Sequence, residues 1–158
     1  MTLDHRRTDD TMPLLLCRIA DLHCAIPGAR VSEVMRAPAI EPLAGMPAFV
    51  LGLSIIRGMP VPVIDAHSLL NAAASRAAYV IVLDVGGRAV ALAVDEIIGL
   101  RRIAGDALAP LPPLLRNVAN DAVAAIRVCD GELLLLLDTA RLVPAHLLAA
   151  LNAAGVRR

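Results

Sequence analysis

The sequence predicts an all-β chain made of two small barrels of like plan, and three observations carry that expectation. Apolar runs of five to eight residues recur along it, often β-branched and bounded by Gly, Pro or Asp, which is the pattern of strands. Prolines at Pro38, Pro42, Pro47, Pro110, Pro112 and Pro113 punctuate the linkers and leave little room for long helices. The third observation is an internal echo: the order of elements in the first half returns in the second.

Residues 1–12 are polar and read as a disordered tail. Leu14–Ile19 and Leu22–Ile26 then flank Ala20-Asp21 as a hairpin. Leu53–Ile56 and Val61–Ile64 straddle Arg57-Gly58, and Tyr79–Val85 and Arg88–Val94 flank Gly86-Gly87. A Gly-Gly pair suits a two-residue turn because glycine accepts positive φ. Val123–Val128 and Leu133–Leu137 straddle Cys129-Asp130-Gly131. Pro144 opens a helix expected to run to about Asn152, with Leu147, Leu148 and Leu151 on one face. Residues 152–158 read as a C-terminal tail. The echo pairs Val31 and Val34 with Ile97 and Leu100 at an offset of 66, and Gly58 and Asp65 with Gly131 and Asp138 at an offset of 73. Each copy reads as a hairpin, a short helix, a Pro-rich bend, a second hairpin, and an Asp that caps the segment after it. One folded unit over residues 13–151, in two interleaved halves, is the expected organisation.

Composition narrows the function classes. The chain is 58% hydrophobic and 19% charged, so it folds and leaves apolar surface exposed for contacts. Its 15 basic and 15 acidic residues cancel, and only Phe49 and Tyr79 are aromatic. Both facts argue against nucleic acid, which needs a basic stripe and stacking platforms. Every Lys/Arg position is Arg, which excludes Schiff-base chemistry and a Lys-dependent phosphate loop. Cys17, Cys24 and Cys129 form no CxxC pair; reduced thiols packed as small apolar groups in a reducing compartment are expected. No segment reads as a signal peptide or a membrane span, so a cytoplasmic protein without membrane insertion is expected.

Candidate chemistry is sparse. Gly52-Leu53-Ser54 begins a nucleophile elbow, but the next glycine is Gly58, too far on. A small serine hydrolase centred on Ser54, with His67 and Asp65 as partners, is the alternative function. His5, His23, His67 and His146 are scattered without metal-ligand spacing. Gly86-Gly87-Arg88 opens no helix that could hold phosphate. No metal or other cofactor is expected. What stands out is Gly52-Leu-Ser-Ile-Ile-Arg57-Gly58-Met-Pro-Val-Pro-Val-Ile-Asp65, where a planar guanidinium at the tip of an apolar hairpin suits recognition of a carboxylate or carbonyl.

That segment resembles the signature of CheW-like coupling domains. Pro47-Ala48-Phe49-Val50-x-Gly52, Ala91-Leu-Ala-Val94-Asp95, the Ala109–Pro112 bend and the Leu133–Leu137 strand with Asp138 and Leu142 also match, in order. The resemblance implies two five-stranded, SH3-like β-barrels sharing a core. It also implies a non-enzymatic adaptor that joins a CheA-like histidine kinase to the cytoplasmic tip of methyl-accepting chemoreceptors in membrane-associated arrays. It places partner contacts on Val31, Glu33, Val34, Ile55, Arg57 and Gly58, with the segment Ala29–Arg36 beside an apolar groove near the barrel junction. Where the family usually carries Asn, this chain has Ile55, which removes a turn-bracing amide or exposes a greasier contact.

Overall fold

The computed structural model describes residues 11–70, 72, 77–104, 107–110, 123–129 and 131–142. The first hairpin pairs β1 (Thr11–Ile19) with β2 (Leu22–Pro27); a 3-10 turn (Gly28–Arg30) leads into β3 (Val31–Arg36). A second hairpin, β4 (Val50–Ile56) and β5 (Met59–Asp65), ends in a one-turn helix, α1 (Ala66–Leu69). The echo follows: β6 (Tyr79–Val85), β7 (Arg88–Val94), β8 (Glu96–Ala104), the two-residue β9 (Ala109–Pro110), β10 (Val123–Cys129) and β11 (Glu132–Leu137), closed by a 3-10 turn at Thr139–Arg141.

These strands make a six-stranded sheet, β8-β1-β2-β11-β10-β9, and a five-stranded sheet, β3-β6-β7-β5-β4. The two orders are the same plan written twice, because β1, β2, β3, β4 and β5 correspond to β6, β7, β8, β10 and β11. Each sheet takes its first hairpin from one copy and its remaining strands from the other. The exchange is sealed by one parallel join per sheet, β2 with β11 and β5 with β7.

The segments after the two first hairpins are strands, which corrects the expected short helices. Val31–Arg36 alternates between half-buried and exposed positions along an edge paired to β6, and β8 lies along β1 in the same way. A period of two with an edge partner at hand outweighs the three-residue spacing of Val31 with Val34 and of Ile97 with Leu100, which also fits a helix. β1 begins at Thr11, earlier than the expected end of the tail. The helix expected from Pro144 falls outside the described residues.

Side chains alternate into separate cores. Cys17, Ile19, Cys24 and Ile26 of the six-stranded sheet meet Ile64, Ile81, Leu83, Val90 and Leu92 of the five-stranded sheet in one shared cluster. The opposite faces bury their own clusters, Val61, Val63, Val80, Val82, Ala91 and Ala93 in one sheet and Leu14, Leu16, Ala25, Ile103 and Leu134 in the other. β6 and β7 are thus buried on both faces, which is why they read as continuous apolar runs.

The five-stranded sheet also curls toward closure. The chain leaving β3 crosses to the far edge, where Glu41 and Leu53 exchange both backbone hydrogen bonds at 2.8 and 2.9 Å. Gly52 permits this crossing: its φ is +145°, and a Cβ there would lie 2.0 Å from the Glu41 carbonyl oxygen.

Candidate functional site

The β4–β5 turn carries its two residues at positive φ, Arg57 at 52° and Gly58 at 77°, the backbone of a tight hairpin whose twist matches its strands. Glycine takes that conformation freely; arginine does so against the Cβ clash that disfavours it. A local cost of this kind persists where the surrounding structure requires it, typically at functional positions.

Curling of the sheet brings this turn to β3, its opposite edge. There the Arg57 Nε–H donates to Glu33 Oε2. The guanidinium remains 78% exposed, whereas the Glu33 side chain is 22% exposed. Hydrogen bonding to Glu33, then its charge, raises the Arg57 pKa above the usual arginine value. The turn arginine is therefore a paired cation that still presents its outer edge to solvent, not the lone guanidinium that the hairpin tip suggests.

Apolar groups flank the pair. Ile55 is 51% exposed and Met59 65% exposed on either side of the turn, and Val34 is exposed on β3. Ile55 sits opposite Pro60 and lines a shallow groove with Pro38, Ile40, Pro42 and Leu53. The Ile55 side chain is thus an exposed apolar surface beside the turn. Exposure divides the β3 residues: Val34 is open to solvent, while Val31 is half-buried and packs against the shared core. Glu33, Arg57, Gly58 and Ile55 are thus drawn together at one corner, and Val31 turns inward beside them. Met59 was not singled out from the sequence, although an apolar residue just after an Arg-Gly turn is itself a signal. Leu100 and Val128, the echo positions of Val34 and Ile55, are also largely exposed, giving the six-stranded sheet an apolar surface of its own.

The hydrolase alternative fails on geometry. Ser54 is buried and donates to the Ala39 carbonyl at 2.7 Å, bracing the crossover loop. His67 bonds to Asp65 and Asp95 instead. Cys17 and Cys24 face each other across the first hairpin as free, buried thiols. Burial pushes the Cys17 pKa up to about 12 and raises that of Cys24 as well. Among the described residues no helix is long and apolar enough to cross a membrane.

Residues 13–146 match the CheW-like domain family. The chain belongs to that family. Relatives include the protein FrzA of Myxococcus xanthus, 33% identical over 118 residues that cover 73% of each chain. The chemotaxis protein CheW of Klebsiella aerogenes is 24% identical over 78% of this chain and 76% of its own. CheW of Rhizobium meliloti is 22% identical over 88% of this chain and 92% of its own. The fold matches that of the scaffolding protein TtCheW from Thermoanaerobacter tengcongensis, with a TM-score of 0.74 over 81% of this chain and 89% of that one, at 20% identity. Two sheets of like plan are the CheW fold, with its two SH3-like halves. The CheW-like chain is accordingly a non-enzymatic adaptor of chemosensory signalling.

Proposed function

We propose that this CheW-like chain couples a CheA-like histidine kinase to the cytoplasmic tip of methyl-accepting chemoreceptors, and that the corner built by Arg57, Gly58, Glu33, Val34 and Ile55 is one of its docking surfaces. Val31 supports that corner from the core side. The reading rests chiefly on one observation: a left-handed, exposed arginine tied to Glu33 and flanked along its hairpin by the exposed apolar side chains of Ile55 and Met59, with Val34 exposed next to Glu33 in β3. Such a surface combines the two elements of a specific contact. Apolar groups supply area to bury, and the ion pair fixes register and penalises wrong partners. Met59 and the groove beside Ile55 enlarge the apolar part. The assembly would sit in the cytoplasm against receptor arrays, without inserting in the membrane.

Charge reversal at the turn is the test. Arg57→Glu faces Glu33 with a second carboxylate and removes the outward guanidinium, while burying nothing new. Expected is a loss on the order of tenfold in co-sedimentation with receptor and kinase, with the thermal transition retained. Equal co-sedimentation of variant and wild type would remove this corner from the interface.

A further inference from the structure

His67 is almost completely buried, and both of its ring nitrogens are engaged by carboxylates. Nδ1 lies 2.8 Å from Asp65 Oδ1, and Nε2 lies 2.6 Å from Asp95 Oδ2. An ionised carboxylate only accepts, and a neutral imidazole carries a single N–H. Satisfying both contacts therefore takes the doubly protonated ring, flanked by two negative charges.

The placement of the three residues matters as much as their chemistry. Asp65 ends β5 and caps α1, accepting from the His67 backbone N–H at 3.1 Å and from Ser68 Oγ at 3.0 Å. Asp95 sits where the chain leaves β7 in the five-stranded sheet and enters β8 in the six-stranded one. Its Oδ2 also accepts from the Ala20 N–H at 2.6 Å, in the β1–β2 turn, and its own N–H donates to the Arg18 carbonyl at 3.0 Å. The Arg18 guanidinium contacts the Ala20 carbonyl and Glu96. The line from Asp65 through His67 and Asp95 to Ala20 thus crosses from one sheet to the other. The second copy has no counterpart, since Ala140 stands at the echo position of His67.

We propose that His67 is a protonation-dependent latch between the two sheets: its imidazolium ties Asp65 to Asp95, and loss of one ring proton releases one of those ties. With one N–H gone, a ring lone pair faces a carboxylate oxygen at hydrogen-bonding distance, and the contact turns from attractive to repulsive. Burial acts to lower the His67 pKa, but the hydrogen bonds and charges of Asp95 and Asp65 outweigh it and hold the value above the ordinary 6.5. A group raised in this way lends its full share of stability below 6.5 and loses it as pH climbs through the higher folded value. Raising the pH would therefore loosen the link between α1 and Asp95 at the β7–β8 junction while the rest of the fold persists. This latch does not depend on which partners dock.

The experiment follows the ring directly in the full chain by nitrogen- and carbon-resolved NMR from pH 5.5 to 9.5, alongside denaturant unfolding over the same range. Expected are a doubly protonated His67 ring at pH 5.5 and a midpoint above 6.5. For each unit by which folding raises that midpoint, the folded-to-unfolded ratio should fall about tenfold across the window. His67→Gln should be weaker at pH 6 and lack that slope, and Asp95→Asn should lower the ring's midpoint. His23→Gln controls for the histidine whose Nδ1 lies 2.8 Å from Glu132, and should leave the His67 titration unchanged. A His67 midpoint at or below 6.5 in the wild type would overturn the proposal without any variant having to fold. Parallel stability profiles for wild type and His67→Gln would overturn it equally.

Discussion

Replacing Gly52 by alanine tests the closure of the five-stranded sheet, on which the placement of the Arg57 corner depends. The added Cβ would stand 2.0 Å from the Glu41 carbonyl oxygen and 2.9 Å from the Pro42 Cα, both backbone atoms that cannot rotate aside. Restoring an ordinary contact means moving the crossover strand by about an ångström or changing the Gly52 φ of +145°, a conformation that L side chains rarely adopt. Moving the strand breaks the paired Glu41–Leu53 hydrogen bonds, each with a net value of about 0.5–1.5 kcal/mol. Backbone strain adds about 1–3 kcal/mol if φ is held, and the stiffer unfolded chain returns up to about 1 kcal/mol. The expected loss is about 2–5 kcal/mol, a large part of a typical domain's 5–15 kcal/mol. The variant should fold but unfold at roughly 1–2.5 M lower urea, for a mid-range slope of about 2 kcal/mol per M. Hydrogen exchange should locate the damage: the Glu41 and Leu53 amides lose protection at neutral pH, while those of Ile81 and Leu92 in the central strands fall only with global stability. An unchanged urea midpoint together with a protected Leu53 amide would refute the reasoning.

Other outcomes follow from the same geometry. Val63→Asp places an unpaired carboxylate at a fully buried position, a cost of several kcal/mol that should abolish the cooperative melting transition; a soluble variant with a sharp transition would contradict that burial. With burial lifting the Cys17 pKa to about 12 and that of Cys24 upward too, neither thiol should react with a thiolate-specific reagent at pH 8 in the native protein, and both should react in denaturant. Fast labelling of either by mass spectrometry without denaturant would count against the packed hairpin. The charge reversal at Arg57 and the His67 titration probe the docking corner and the latch independently, since neither variant alters the residues of the other.

The strands, their turns and the repeated plan were legible because they are local. Gly86-Gly87 adopts φ of 60° and 83° as its composition requires, and Asp65 caps α1 at the position its spacing indicated. Arg57 and Ile55 were likewise visible as an arginine and an apolar residue at the tip of a hairpin. The segments after each first hairpin were misread as short helices, because a few apolar residues three apart satisfy either period until an edge partner is present. The parallel joins β2–β11 and β5–β7, and the exchange of strands between copies, unite segments far apart in the chain, and no short window of residues encodes such a pairing.

The same physical limit governs the side chains. By itself the sequence determined which elements form and which apolar faces each must bury, since hydrophobic period and turn chemistry act over a handful of residues. Tertiary structure alone decided that Glu33 meets Arg57, that Gly52 lets Glu41 cross it, and that His67 lies between Asp65 and Asp95. Those contacts depend on how two sheets curl and share a core, and that is a property of the whole packed chain.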